Sequence, residues 1–432
     1  MLVAAAAVLM AAAVPPMVAL AAPPPPVHVV HPTGQFPADV ENVQAAVDQG
    51  GSVLLKATDV DGRPVAFNFG TPVRSPDRVV FLETDVAVVG ESVSQGQTTI
   101  NGGYIPFFGV TKSHTKIQGI HFDGPLVSAI IIIRSSGSEI LDNRISRVVG
   151  GLLPFGLTEG RGIKFLGNSD PAGAITGTVR VAGNVIEDMH ADLSDAIVFD
   201  AVAAATAIVH NRIDTVQSSG ILVIESRNTV TIARNSIRPG PGDPGEFSFG
   251  NGMTIVGSRG ASYRVQQNQV LAENPGADGI LLAGFDDTGL IDRAVVDGNT
   301  VEMRGSDFGG ITLFGGVSRS LVTNNIVKGD GLLGIDLVSD GSPALAVSNT
   351  LTGNNVALFD ERLADVFLDV HTRDTVLTGS GGMVVDLGSG NRITGYGPIG
   401  HKQHIGTQIR DAHNDKQDTL SPTFTGGMSP AN

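Results

Sequence analysis

The sequence predicts an all-β fold: a right-handed parallel β-helix, or three-stranded solenoid, with a short N-terminal capping helix. The first observation is a corner motif of Asn, any residue, then Ile or Val, which recurs along the chain. Its asparagines are Asn143, Asn184, Asn211, Asn235, Asn268, Asn299, Asn325 and Asn391. The second is a Gly-Ile type of pair between the corners. These pairs begin at Gly162, Ala196, Gly220, Gly252, Gly279, Gly310 and Gly334.

The spacing of the Gly-Ile pairs matches one coil of a solenoid whose loops vary in length. Successive pairs are separated by 34, 24, 32, 27, 31 and 24 residues. Short strands of period 2 would place Ile and Val inward, glycine and asparagine would adopt left-handed corner conformations, and stacked asparagines would hydrogen-bond from coil to coil. A leucine-rich horseshoe needs a regular Leu spacing that is absent, and a β-sandwich would not repeat one corner motif.

The composition supports this fold class and narrows the function. Glycine is abundant (56), aromatic residues make up 5%, Trp is absent, and hydrophobic residues still reach 41%, which suits a turn-rich fold with small Val/Ile layers. The net charge of −15 argues against nucleic acid and anionic membrane surfaces as partners. Because there is no cysteine, disulfides, thiol catalysis and Cys-zinc sites are excluded.

The domain organisation follows from the ends of the repeat. Residues 1–22 are apolar and alanine-rich with a small-x-small end, typical of a signal peptide, and residues 23–37 read as a proline-rich linker. A disordered or membrane-anchoring N-terminus remains open, since no Lys or Arg precedes the apolar run. We expect the β-helix over 38–396, with helix 39–48 capping the first coil, a strand at 52–55 and the repeating body from Thr115. The polar tail 397–432, which carries His401, His404 and His413, is predicted to be disordered.

These segments predict an exported protein, secreted, periplasmic or in the cell envelope. After removal of the signal peptide we expect no stable membrane insertion, because no other run is long and apolar enough to span a bilayer. The sequence leaves the oligomeric state open.

The capping helix, "GGSVLL", "TKIQGIHFDG" and the alternation of Gly-Ile with Asn-x-Ile resemble the pectin-lyase-like parallel β-helix proteins with PbH1-type repeats, over roughly residues 38 to 395. The resemblance implies a substrate groove along the sheet of Gly-Ile strands, and calcium by analogy, with no cofactor required. It leaves the activity open, because it covers pectate lyases, polygalacturonases, alginate lyases, mannuronan epimerases and noncatalytic surface proteins.

The sequence departs from the catalytic motifs of that superfamily. The Asp-Pro-His signature of the epimerases and the Arg-x-Pro-x-x-Arg segment of the pectate lyases do not occur. Polygalacturonases need two carboxyl groups across one bond, whereas Asp195 and Asp278 are expected three coils apart, about 14 Å by the strand spacing. Asp286 and Asp287 are adjacent, but a solvated turn is the favoured interpretation.

Charged residues concentrate on the first coils with Gly-Ile pairs and supply the candidate site. The catalytic candidates are Arg161, Lys164, His190, Asp195 and Asp200, and the metal candidates are Asp192 and Asp195. A lyase needs a base and a cation that neutralises a uronate carboxylate, whereas a hydrolase would use two acids. The structural alternative is that Arg161 and Asp195 form a cross-strand ion pair on a solvated face.

Long loops with aromatic residues are expected to border a cleft and stack on sugar rings. The substrate-binding candidates are Phe155, Phe247, Phe249, Asn251 and Asp278. The sequence therefore predicts a secreted carbohydrate-active protein that binds a polysaccharide or surface glycan, with lyase chemistry ahead of hydrolysis. A noncatalytic adhesion, envelope or glycan-binding solenoid is the alternative.

Overall fold

Apolar residues that recur once per coil bring successive strands into register, and the chain winds into a right-handed parallel β-helix, as predicted. The computed structural model describes residues 26–91, 97–153, 156–167, 175–214, 216–240, 250–258, 260–274, 276–285, 289–306, 308–339, 346–358, 363–379, 382–397 and 399–400. The predicted signal peptide, Phe155, Phe247, Phe249, the Asp286-Asp287 pair and the three tail histidines lie outside these residues.

Each coil contributes strands to three parallel sheets, named here in the order in which the chain meets them. Sheet 1 precedes the asparagine corner, sheet 2 follows it, and the Gly-Ile sheet closes the coil. The strands of sheet 1 are Val27–Val30, Gly51–Leu55, Val86–Gly90, His114–Gln118, Gly137–Leu141, Thr178–Ala182, Ala205–Val209, Thr229–Ala233, Ser262–Gln266, Val295–Asp297, Leu321–Thr323, Thr350–Thr352, Val376–Thr378 and Arg392–Thr394.

The strands of sheet 2 are Phe67–Asn68, Thr99–Asn101, His121–Asp123, Arg144–Ser146, Val185–Glu187, Arg212–Asp214, Ser236–Arg238, Gln269–Ala272, Thr300–Met303, Ile326–Gly329 and Asn355–Leu358. The strands of the Gly-Ile sheet are Val79–Leu82, Ile105–Gly109, Ser128–Ile132, Thr158–Leu166, Leu193–Asp200, Ile221–Ile224, Met253–Val256, Ile280–Gly284, Gly309–Gly315, Leu333–Val338, Ala364–Leu368, Val384–Asp386 and Ile399–Gly400, with Gly151–Leu152 antiparallel to Thr158–Leu166. Ile291–Asp292 and Val317–Ser318 form a small separate pair.

The core is a stack of aligned apolar side chains inside the coils. The predicted register of the Gly-Ile strands is confirmed. On each coil the residue after the Gly or Ala is fully buried, and it is the direct register partner of the corresponding residue on the next coil. Alignment also brings like rings together: Phe165 and Phe199 stack on adjacent coils with ring centroids 4.7 Å apart. One core therefore continues through the solenoid.

The asparagine ladder is confirmed, with one change of member. Each asparagine donates from its side-chain amide to the Oδ1 of the next at 2.9 to 3.1 Å, and that Oδ1 also accepts the backbone N–H. The last member is Asn354, in the motif Asn-Asn-Val. Asn391 was assigned to this corner wrongly: it precedes a strand of sheet 1, where its Oδ1 accepts the N–H of Thr375.

The left-handed conformation lies one residue earlier than expected. The residue before the ladder asparagine has positive φ, as in Asp142 (54°), His210 (57°), Arg234 (58°) and Gln267 (55°). Asparagine is selected at the corner for its buried side-chain amide, because that amide serves backbone groups of neighbouring coils.

The helix Ala38–Val47 covers the open end of the first coil, as predicted, with Val43 and Val47 fully buried in the core. The buried carboxylate of Asp39 fixes it by accepting the N–H of Thr33 at 2.6 Å and of Asn68 at 2.8 Å. No helix in the described part of the chain is long and apolar enough to cross a membrane.

Both predicted ends of the solenoid need correction. The segment 23–37, assigned as a linker, contains the strand Val27–Val30. This strand forms because its backbone pairs in parallel with Gly51–Leu55 at the edge of sheet 1. The repeating body begins before Thr115, with coils that lack the corner motif. At the other end, Ile399–Gly400 pairs with Val384–Asp386, so the sheet passes the predicted boundary at 396.

Candidate functional site

The residue after the inward core residue, which is Ile on most coils, points away from the core and forms one outward row along the Gly-Ile sheet. The row is Phe81, Phe108, Ile131, Lys164, Val198, Leu222, Thr254, Leu281, Thr312, Asp336 and Phe367. From Thr254 onward every member of the row is at most 3% exposed. We call Phe81 to Leu222 the open face, where Phe81, Phe108, Lys164 and Leu222 are partly exposed, and Thr254 to Phe367 the covered face.

The charges of the open face meet around Glu159. Its Oε1 lies 3.4 Å from a terminal nitrogen of Arg161 and 3.4 Å from the ammonium of Lys164. Arg161 also pairs with Asp195 on the next coil, at 3.1 Å. Arg161 and Lys164 thus point the same way although they are three residues apart. The next coil packs closely against Gly162, since a Cβ there would lie 2.5 Å from the carbonyl oxygen of Ala196.

The predicted cross-strand ion pair of Arg161 and Asp195 exists, but it is not solvated. The two side chains are 11% and 3% exposed, and the other carboxylate oxygen of Asp195 accepts the N–H of Ser219 at 2.8 Å. Burial alone would raise the pKa of Glu159, but Arg161 and Lys164 hold it below its usual value. The cluster is therefore a desolvated, charge-compensated network rather than a surface pair.

Asp200 lies on the same strand as Asp195 and is electrostatically coupled to Lys164. Burial raises the pKa of Asp200, Lys164 lowers it and Glu225 raises it, and the result lies above the usual value. Lys164 therefore interacts with two carboxyl groups whose pKa values are shifted in opposite directions. Opposite shifts of this kind are what divides the acid and base roles between two carboxyl groups.

His190 and Asp192 occupy the neighbouring loop and have other partners. The His190 side chain is 61% exposed, with Nε2 3.3 Å from a carboxylate oxygen of Asp188. One carboxylate oxygen of Asp192 accepts both the N–H and the hydroxyl of Thr158 at 2.7 Å, and these bonds lower its pKa. The described residues contain no group of three or more His, Cys, Asp or Glu side chains placed to hold a metal ion. A metal role for Asp192 and Asp195 remains a prediction.

The two described substrate-binding candidates lie beside the covered face, where Asn251 bonds Thr254 and Asp278 bonds Thr312. Asn251 and Asp278 are 2% and 0% exposed, and the Oδ1 of Asn251 accepts the N–H of Asp278 at 2.8 Å. Neither presents surface to a polymer in this structure. Asp195 and Asp278 lie three coils apart, as the sequence indicates.

Two features of this sheet escaped the sequence analysis. The hydroxyl of Thr312 lies 2.7 Å from a carboxylate oxygen of Asp278 and 2.9 Å from one of Asp336, so two buried carboxyl groups share it. Asp278 lies two residues before its core Ile, whereas Thr312 and Asp336 directly follow theirs, so no single aligned position of the repeat reveals the pair. The second is the aromatic pair Phe81 and Phe108, with ring centroids 6.0 Å apart on coils that lack the Gly-Ile signal.

The fold and this sheet define a right-handed parallel β-helix, and comparison with solved structures agrees. The chain is similar to the A-module of the mannuronan C-5 epimerase AlgE6 of Azotobacter vinelandii, with a TM-score of 0.59 and 12% identity over 84% of this chain and 92% of that one. It is more distantly similar to the Dettilon tailspike protein (TM-score 0.40, 14% identity, 86% and 68% covered) and to PfbA, a surface adhesin of Streptococcus pneumoniae (0.36, 11%, 73% and 89%).

At these identities the likeness concerns the fold alone. No protein-family model matches the sequence. No curated protein matches it either.

Proposed function

We propose that this protein binds an acidic polysaccharide along the open face of the Gly-Ile sheet and acts on it at Lys164. The observation that carries the proposal is the row Phe81, Phe108, Ile131, Lys164, in which a cation directly follows an apolar strip. Pyranose rings present apolar faces to aromatic side chains, and a uronate carboxylate pairs with an ammonium group. Coils rise by about 4.8 Å, close to the length of one pyranose unit, so a polymer along the axis would meet one coil per sugar.

Lyase chemistry is the first candidate at this site. Elimination removes the proton beside the uronate carboxylate, and the developing charge must be neutralised. Lys164 would neutralise it, with Arg161 beside it. Glu159, ionised and within 3.4 Å of both cations, is the nearest described base, and exposed His190 is the alternative. Calcium binding, proposed by analogy, would assist the same neutralisation.

Hydrolysis is the second candidate, favoured by the opposite pKa shifts of Asp200 and Glu159. Asp200, whose pKa is raised, would act as the acid that supplies the leaving-group proton, and Glu159 would activate water or attack the sugar. A noncatalytic glycan-binding or adhesion role uses the same face without either step. The pectin-lyase-like resemblance and the AlgE6 module, an epimerase by name, support a polysaccharide partner. Export to the envelope or medium is part of this proposal and rests on residues 1–22.

The test is turnover and binding with purified protein and a panel of polyuronates and neutral polysaccharides, with and without calcium. Lyase action produces an unsaturated uronate that absorbs in the ultraviolet, and hydrolysis releases reducing ends without that absorbance. We expect Lys164→Met to lower turnover of the accepted uronate polymer by about 100-fold or more, because charge neutralisation is lost.

Lys328→Met is the matched control, since Lys328 also pairs with a single glutamate, Glu302 at 3.0 Å, but on the outer face of sheet 2. Binding that weakens with Lys164→Met and not with Lys328→Met, without turnover of any polymer, would favour the noncatalytic role. Neither binding nor turnover across the panel would overturn the proposal.

A further inference from the structure

The outer face of sheet 2 carries a serine and a histidine in direct hydrogen-bond contact, on a different side of the solenoid from Lys164. The Nε2 of His121 lies 2.8 Å from the Oγ of Ser146. We propose that Ser146 and His121 form a nucleophile and general-base pair that hydrolyses small carboxylic esters, such as acetyl esters. This activity is independent of the polysaccharide chemistry proposed above.

The strand register builds this contact. His121 pairs with Arg144 and Asp123 pairs with Ser146 on the next coil, so the serine lies diagonally across from the histidine. Phe122 lies between His121 and Asp123 in one strand, and Ile145 lies between Arg144 and Ser146 in the other. Both are fully buried in the core, so the side chains on either side of them face outward. The hydroxyl of Ser146 also lies 3.2 Å from a carboxylate oxygen of Asp123. The printed contact of Asp123 is with the serine hydroxyl rather than with the imidazole, so the arrangement is a serine–histidine pair with an adjacent acid and not an ordered Ser-His-Asp triad.

Burial of His121 favours the neutral imidazole that a general base requires. Burial lowers the pKa of His121; Asp123 and Glu187 oppose this shift, and Arg144 and Arg147 support it. Burial would raise the pKa of Asp123, but its pairing with Arg147 holds that pKa below the usual value, so the carboxylate is ionised at neutral pH. At neutral pH His121 is therefore free to accept the serine proton.

The reaction balances without any cofactor. The Oγ of Ser146 attacks the ester carbonyl carbon while its proton passes to Nε2 of His121. The alkoxide leaves with that proton, and water then attacks the acyl-serine by the same route, releasing the acid and restoring the hydroxyl. The guanidinium groups of Arg144 and Arg147, 50% and 61% exposed, bond Glu187 and Asp123 respectively.

The test uses the full chain with p-nitrophenyl acetate and a fluorophosphonate that labels activated serines, the labelled residue being found by peptide mass spectrometry. We expect label on Ser146 and a loss of at least about 100-fold in kcat/KM for both Ser146→Ala and His121→Gln. The rate should rise with pH through a pKa below the ordinary histidine value of 6.5 and stay high above it.

Ser236→Ala is the control, because Ser236 is an exposed residue of the same sheet. Lys164→Met should retain the ester activity, which separates this proposal from the polysaccharide one. Unchanged rates in both variants, or a label on other residues only, would overturn it. If both variants misfold, the labelling of the unmodified chain decides alone: Ser146 labelled supports the pair, and Ser146 unlabelled refutes it.

Discussion

The open and covered faces belong to one sheet with one register, but their outward residues differ in charge and in exposure to solvent. On the open face Lys164, Glu159 and Arg161 are charged and are 16%, 12% and 11% exposed. On the covered face Thr312 and Asp336 are fully buried, and Phe314 and Phe367 pack in a second apolar cluster outside the core. Since inward residues already hold the coils together, the outward row is where such a solenoid can vary without losing its fold. Accessibility, rather than the presence of acids, therefore locates the candidate site.

The largest expected effect comes from breaking the ion network of the open face. Arg161→Met leaves the buried carboxylates of Asp195 and Glu159 without their shared cation. We expect a loss of about 3 kcal/mol in the free energy of unfolding, because removing one partner of a buried pair strands the other charge. Urea titration measures it.

The matched control is Arg304→Met. Arg304 also pairs with two acids, Glu273 at 2.9 Å and Glu302 at 2.7 Å, but its side chain is 55% exposed. We expect no resolvable change in its urea midpoint, because solvent screens exposed pairs. Equal losses in the two variants would mean that the Arg161 network is a surface feature after all.

The next effect tests whether the two faces share one scaffold. Asn184 belongs to a coil of the open face and Asn299 to a coil of the covered face, and each both donates and accepts in the ladder. Replacing either with alanine leaves buried backbone groups unpaired, at a cost of about 2 kcal/mol. Urea titration should give similar losses for both, and a far smaller loss for Asn355→Ala, an exposed neighbour of the ladder. A large difference between Asn184→Ala and Asn299→Ala would show that the faces rest on unequal scaffolds.

A smaller effect is expected from the hydroxyl on the covered face. Thr312→Val keeps the shape of the side chain and removes the group that bonds Asp278 and Asp336. We expect a loss of about 1 kcal/mol in the free energy of unfolding, with polysaccharide binding unchanged. Weaker binding would contradict a purely structural role for the covered face.

The sequence determined the architecture far better than the site. The Ile row and the asparagine ladder were predictable because each position repeats one residue type for one physical reason. The left-handed corners were not, because Asp142, His210 and Arg234 share a backbone conformation and no side chain. Asn354 and Asn391 satisfy the same motif, and only strand pairing distinguishes them.

In the site, the grouping of Arg161, Lys164 and Asp195 followed from aligning the strands, and the structure brings them together. The burial of Asp278 did not follow, because exposure depends on what packs over a strand rather than on its sequence. Phe81 and Phe108 were missed because their coils carry neither repeat signal.

The last prediction concerns pH and separates the two acids beside Lys164. The pKa of Glu159 in the folded chain lies below its ordinary value of 4.5, so its ionised form stabilises the fold above that pH, and this contribution is lost as the pH falls through the lower folded value. Glu159→Gln should therefore be less stable than the unmodified chain at neutral pH, with a difference that shrinks in acid.

The pKa of Asp200 is shifted in the opposite direction, so its contribution to stability depends on pH in the opposite sense. Its folded pKa lies above the ordinary value of 3.8, so its contribution is fully present below that pH and is lost as the pH rises through the folded value. Asp200→Asn should be more stable than the unmodified chain at neutral pH and no more stable in acid. Urea midpoints measured from acid to neutral pH should thus give difference curves of opposite sign for the two variants. Curves of the same sign would mean that the pKa values of the two carboxyl groups beside Lys164 are not shifted in opposite directions, and the acid–base assignment of the open face would fail.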